Sequence, residues 1–182
     1  DGEKIKALDK KEYQLDSTVT VIADKNNPLA IAGIMGGSET GCTDTTKNVF
    51  LEVALFDPSK VAKTGRKLGI NSDARYRFER GLDKEMIEEG LEYASYLINK
   101  ICGGSVSKNS SAGNLDKNIR VIDYNFNYFE KVIGLHLSSE DQITTLKSLL
   151  FKINKITDKS CNVDVPSWRN DVTKPIDLVE EI

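Results

Sequence analysis

The stretch Ser105–Asn118, which begins Ser-Val-Ser-Lys-Asn-Ser-Ser-Ala-Gly-Asn, limits the fold more than any other part of the chain. It is polar and rich in Gly and Ser, so it has little to bury and marks a boundary between separately packed regions. A chain of 182 residues suits one medium or two small domains, at roughly 100–200 residues per domain. With the break here, residues 1–117 make one domain and residues 118–182 another. An apolar content of 39% and a charged content of 29% describe an ordinary soluble globular protein. No apolar run approaches the ~20 residues of a membrane span, and no secretory signal opens the chain. Asp1-Gly2-Glu3-Lys4 lacks an initiator Met, and Leu178–Ile182 stops within a helical pattern, so the chain is expected to be an excised piece.

In the first domain Lys6–Gln14 and Thr18–Asp24 read as strands joined by a turn at Asp16-Ser17, and Asn26-Asn27-Pro28 turns the chain again. Leu29–Met35 reads as a buried strand running into Gly36-Gly37-Ser38. This loop lacks the endings of phosphate-binding fingerprints; it is either an ordinary turn or bare backbone that a ligand can approach closely. Val49–Phe56 reads as a further strand, with Glu52 on a face shared with Phe50, Ala54 and Phe56. An unpaired carboxylate in such a setting is costly, so Glu52 either pairs with an arginine or awaits a ligand donor. Asp57-Pro58 caps a helix over Ser59–Leu68 that ends at Gly69. A second helix, from near Asp83 to Cys102, carries the stripe Ile87, Leu91, Ala94, Ile98 and Ile101 and is expected to bury it against the sheet.

Between these helices lies Asn71–Gly81, dense in arginines, acids and aromatics. Its alternation suits a strand, yet Ser72-Asp73 suits the start of a helical turn. It is either a salt-bridged surface segment or part of a site. From Asp57 to Arg80, Lys60, Lys63, Arg66, Lys67, Arg75, Arg77 and Arg80 outweigh Asp57, Asp73 and Glu79, although the chain as a whole carries −3. A basic patch on an acidic body suits either a phosphate backbone or a solvated helix face. Cys42, Cys102 and Cys161 are odd in number and far apart, which fits small hydrophobes in a reducing cytoplasm rather than disulfides or zinc. With His136 alone and in the second domain, no Ser-His-Asp or Cys-His arrangement can be assembled in the first, so hydrolysis there would need a positioned water.

The second domain reads as a strand at Ile119–Tyr124, a helix at Asn125–Ile133, a helix from Ser139 to about Leu150 with a Ser139/Gln142 capping box, and a hairpin over Phe151–Ile156 and Asn162–Val165. The expected class is α+β: a mixed or antiparallel β-rich domain with packed helices, then a small winged-helix-like domain. Ser139–Leu150 offers no cluster of basic residues, so DNA binding is not inferred. In a helix starting near Pro175, Asp177, Glu180 and Glu181 share one face, with Asp171 in the loop before it. Carboxylates so gathered suit a hard divalent ion such as Mg²⁺ or a basic partner.

Four blocks resemble the bacterial phenylalanyl-tRNA synthetase β subunit family, in its order and spacing and over nearly the whole chain. They are Ala-Gly-Ile-Met-Gly-Gly within Leu29–Gly37, Phe-Leu-Glu and Phe-Asp-Pro within Asn48–Pro58, Arg-Phe-Glu-Arg-Gly within Ser72–Gly81, and Pro-Ser-Trp-Arg-Asn-Asp from Pro166. The resemblance implies that residues up to Lys117 form most of an editing module, which hydrolyses tyrosine wrongly esterified to the phenylalanine tRNA. Its pocket positions match Gly36, Glu52, Ser72 and Ala74. Glu52 would accept the tyrosine hydroxyl, Gly36 and Ala74 would leave room for the ring, and Ser72, the catalytic candidate, would hold the attacking water or the ester. Many members carry Thr in place of Ser72 and His in place of Asn71 and Tyr76. The resemblance also implies Mg²⁺ at Asp171, Asp177, Glu180 and Glu181, bound together with an α subunit. The whole would be a cytoplasmic, ATP-dependent heterotetramer of two α and two β subunits acting on the phenylalanine tRNA. Neither ATP nor the aminoacylation site would lie in this stretch.

Overall fold

The computed structural model describes residues 2–115 and 118–182; the expected domain boundary at residue 117 lies outside them. The fold is α+β, and every strand pairing among the described residues is antiparallel. Residue contacts divide the chain into two compact units. One runs to Leu82 and resumes over Met86–Asn109; the other comprises Asp83–Glu85 and Ser110–Ile182.

The first unit opens with a hairpin of β1 (Lys4–Lys6) and β2 (Glu12–Gln14), Ile5 opposite Tyr13. The single strand expected over Lys6–Gln14 is thus folded in two. Lys10 takes a positive φ of 66°, and the Asp9 carboxylate accepts from the Lys11 amide at 3.1 Å and the Tyr13 hydroxyl at 2.7 Å. At Asp16 the expected turn is present, its carboxylate accepting from the Thr18 amide at 2.9 Å. A sheet ordered β3-β4-β5 follows, from β3 (Val21–Ala23), β4 (Pro28–Ile31) and β5 (Met35–Gly36). The run Leu29–Met35 is likewise not one strand. Gly33 adopts φ 67°, a left-handed conformation that suits glycine, and reverses the chain between β4 and β5. Gly37 donates its amide to Leu29 O at 2.8 Å and bridges to Ala7, which joins the hairpin to the sheet.

The strand expected over Val49–Phe56 does not form; residues 46–57 have no regular structure and Phe50 is 94% exposed. A strand exists through its ladder, and none of β1–β5 pairs with this segment. At Asp57 the carboxylate accepts from the Lys60 amide at 3.0 Å and starts α1 (Pro58–Leu68), which Gly69 ends at φ 65°. Asn71–Gly81 resolves as helix, α2 (Asp73–Phe78), capped by Ser72. The core gathers Ile5, Leu15, Ile31, Ile34, Val61 and Ile70. The long helix α3 (Met86–Cys102) buries no residue completely. Ile87, Leu91 and Ala94 are half-buried, but Ile98 and Ile101 are exposed, so its apolar stripe is only partly covered.

The second unit is a sheet ordered β6-β8-β7, from β6 (Val121–Asn125), β7 (Lys152–Asn154) and β8 (Ser160–Asp164), packed with α4 (Asn127–Ile133), α5 (Ser139–Ser148) and α6 (Pro175–Glu181). Its core includes Tyr124, Phe129, Leu146, Val163, Val172 and Leu178. The cap of α5 is Ser138, one residue earlier than expected. Gln142 is not a capping partner but a buried side chain. It accepts from the Tyr124 hydroxyl at 2.9 Å and donates to the carbonyls of Leu137 at 2.9 Å and Phe126 at 3.3 Å. A buried amide is tolerated when its groups are satisfied in this way.

Candidate functional site

In the first unit the sequence-predicted residues fall on three segments. Ser72 is the hinge of the arrangement. Its hydroxyl accepts from the Arg75 amide at 3.1 Å, capping α2, and donates to the carbonyl of Ile34 at 2.6 Å. That pair of bonds ties the α2 start, where Ala74 is exposed, to the β4–β5 turn that leads into Gly36. The one proton of the Ser72 hydroxyl is committed to Ile34, so the oxygen can still accept a hydrogen bond but has no second proton to donate.

The two adjacent glycines are not equivalent. A Cβ on Gly37 would lie 2.6 Å from the backbone oxygen of Leu29, so the fold itself demands glycine there. A Cβ on Gly36 would meet only the Leu8 side chain, its Cδ1 at an ordinary 3.4 Å and its Cγ at 3.9 Å, and the Gly36 φ lies outside the left-handed region. Neither backbone conformation nor packing among the described residues explains a glycine at position 36.

Glu52 sits on the irregular segment after β5 and is exposed. Among the described residues it makes no hydrogen bond or ion pair, so it lacks the arginine partner that the apolar setting suggested. Partial desolvation raises its pKa, an effect held in check by its exposure. A cavity of about 180 Å³ at the start of α1, lined by Thr20, Ala32, Phe56, Asp57, Lys60 and Thr64 among others, includes none of Gly36, Glu52, Ser72 and Ala74.

The arginines divide between scaffold and surface. Arg75 lies across Gly65 of α1, where a Cβ would come within 2.3 Å of its Cδ. It donates to Ile70 O at 2.7 Å and to Glu79 Oε2 at 2.9 Å. Arg80 stacks on the Tyr76 ring at 3.7 Å, and Lys67 pairs with Asp16. Lys60, Lys63 and Arg77 are exposed and have no acidic partner among the described residues. In the second unit His136 lies exposed at 3.0 Å from Glu130, a surface pair. Cys42, Cys102 and Cys161 are all free thiols.

The acidic motif of the second unit is arranged around a residue that the sequence reading quoted but gave no role. Arg169 donates to Asp171 Oδ1 at 2.9 Å and Oδ2 at 2.7 Å, and to Glu181 Oε2 at 2.8 Å and Oε1 at 2.5 Å. These bonds hold both carboxylates below their usual pKa range. Asp177 instead caps α6, accepting from the amides of Thr173 at 2.7 Å and Lys174 at 2.8 Å. Glu180 is exposed and has no partner among the described residues. Among the described residues no three His, Cys, Asp or Glu side chains are grouped to hold a metal ion. As they stand, these four carboxylates therefore do not fit Mg²⁺. An arginine two residues before one acid and twelve before another carries no periodic signal, which is why its role was missed.

Comparison with known proteins matches residues 1–103 to the B3/4 domain and residues 122–182 to the tRNA synthetase B5 domain. The whole chain is 47% identical to a stretch of the phenylalanine–tRNA ligase β subunit of Brucella suis and 45% identical to that of Nitrobacter winogradskyi. The corresponding protein of a Wolbachia from Brugia malayi is 42% identical over 181 residues. The chain spans 22–23% of the length of these relatives. Among the described residues no helix is long and apolar enough to cross a membrane.

Proposed function

The chain belongs to the B3/4 domain family and is homologous over its full length to part of phenylalanine–tRNA ligase β subunits, and from that premise we propose that its first unit is a proofreading module. The reaction is hydrolysis of tyrosine esterified to the phenylalanine tRNA. The observation that carries the proposal is Gly36, a glycine that neither its backbone nor its packing requires. A pocket for a hydroxylated ring needs bare backbone where the ring lies and a free carboxylate for its hydroxyl, and Gly36 and Glu52 offer these two groups from separate segments.

In this reading Glu52 accepts the hydrogen bond of the tyrosine hydroxyl. Phenylalanine offers no donor, and a site built to bond a hydroxyl discriminates strongly against the substrate lacking it. Water attacks the ester carbonyl carbon, the bond to the ribose oxygen breaks, and the proton passes from the water to that oxygen. Ser72 serves as acceptor for the water while it keeps Ala74 and Gly36 in register through Ile34. Because its hydroxyl proton is held in the hydrogen bond to Ile34 O, Ser72 positions rather than attacks.

The second unit, whose described residues form a three-stranded sheet and three helices, is proposed to be the winged-helix-like neighbour, and the ligase's α subunit and tRNA to be its partners. Mg²⁺ at Asp171, Asp177, Glu180 and Glu181 is proposed only for an assembly in which a partner supplies further oxygens and Arg169 turns away. A second reading, a non-catalytic tRNA-binding or subunit-docking module, draws on the open cations Lys60, Lys63 and Arg77. Deacylation of Tyr-tRNA by the full-length αβ complex separates the two. The editing reading expects Glu52→Ala to lose hydrolysis of the tyrosine ester by about ten-fold or more; an unchanged rate would leave the docking reading.

A further inference from the structure

We infer that Arg169 is itself the cation on which Asp171 and Glu181 converge, so that its guanidinium and a divalent ion are alternatives at this end of α6 rather than neighbours. The inference sets the condition under which the Mg²⁺ reading can hold and stands on side-chain geometry in the second unit alone.

A guanidinium presents two edges that can each grip a carboxylate with two bonds. Arg169 uses both. Its Nη1 and Nη2 take the two oxygens of Glu181, and its Nε and Nη2 take the two oxygens of Asp171, so four acceptor atoms are committed to one group. The Arg169 and Glu181 side chains are each only 20% exposed, which limits screening by water and salt. Behind them the guanidinium carbon lies 5.6 Å from the centre of the Phe151 ring.

Magnesium asks for about six oxygens in octahedral array and keeps several of its waters. Here a fixed positive charge already lies within hydrogen-bond distance of every oxygen that Asp171 and Glu181 could offer. A dication brought to the same atoms would face that charge at a few ångströms, so one must leave for the other to bind. Asp177 does not alter this, since it caps the helix, and Glu180 alone is too few ligands.

Manganese, a paramagnetic stand-in for Mg²⁺, titrated into the 182-residue chain tests the inference through broadening of the amide signals of residues 169–181. Arg169→Met is expected to bind Mn²⁺ at least about ten-fold more tightly than the unsubstituted chain, and Arg169→Met with Asp171→Asn to lose that gain. Equal broadening in the unsubstituted chain and Arg169→Met overturns it, as does a folded Arg169→Met that gains nothing. Should Arg169→Met fail to fold, the Arg169 Nε–H signal of the unsubstituted chain decides. If the inference is right, it holds its position while the amides of residues 169–181 are unaffected by Mg²⁺ and moves with them once the ion enters; amides that report bound Mg²⁺ while the Nε–H signal stays in place overturn it. No tRNA enters these measurements, so their outcome is independent of the editing proposal.

Discussion

The two units differ in how much apolar side chain they withdraw from water, although both leave large apolar side chains exposed. In the second, Tyr124, Leu146, Val163 and Leu178 are wholly withdrawn from water, and α4, α5 and α6 each contribute buried side chains. In the first, α2 and α3 bury no residue completely, and Phe50, Ile101 and Tyr93 are 94%, 78% and 64% exposed. Apolar area already inside stabilises its own unit; area left outside is free to be covered by something else. Gly36, Glu52 and Ala74, the proposed pocket residues, all belong to the unit with the smaller buried core. Loosely packed segments are where ligand-binding elements are usually drawn from.

Hydrogen exchange read separately in each unit can break this contrast. The largest effect is expected from Leu146→Ala, which opens a cavity in the closed core and should lower protection of β6–β8 by about 2–5 kcal/mol while leaving α1 unchanged. Next comes alkaline pH. Burial pushes the Tyr124 hydroxyl up to about 12, and its proton is donated to Gln142. An unfolded tyrosine ionises near 10, so between about 10 and 12 the unfolded state holds fewer protons than the folded one. Stability from this group is therefore complete below about pH 10 and is lost as pH rises towards 12, by about 2–3 kcal/mol in all. Tyr124→Phe should flatten that part of the pH–stability profile.

Smaller effects are expected in the first unit. Ser72→Ala removes both the cap of α2 and the bond to Ile34 and should cost about 1–2 kcal/mol, seen as lost protection in α2 and the β4–β5 turn. Ile101→Ala, on the uncovered part of the α3 stripe, should change stability by no more than about 0.5 kcal/mol. A larger loss at Ile101 would show that the stripe is packed after all.

The fold was legible where a residue acts through its immediate neighbours. Asp57 before Pro58, Gly69 and Gly134 after helices, and Asp16 at its turn all read directly, since caps and tight turns are local chemistry. It was illegible where the outcome depends on a distant partner. Alternation over Val49–Phe56 says which side chains share a face but not whether a neighbouring strand will pair with them. Gln142 matched a capping pattern, yet the Tyr124 hydroxyl and the carbonyls of Phe126 and Leu137 drew it into the core. Lys10 and Gly33 reversed segments that apolar periodicity ran straight through.

For the candidate site, residue chemistry alone singled out Glu52, the Gly36-Gly37 loop and the stretch Asn71–Gly81, while the roles of Ser72 and Ala74 within that stretch came through family resemblance. The structure adds what neither could supply: that Gly37 is the glycine the fold needs and Gly36 the one it does not. A graded series at Gly36 in the full-length αβ complex, to Ala, Leu and Trp, therefore tests the central claim most directly. Hydrolysis of Tyr-tRNA should fall as side-chain volume rises, by about ten-fold or more at Trp, with hydrogen-exchange protection of β4 and β5 retained. Undiminished hydrolysis by a folded Gly36→Trp enzyme would contradict it.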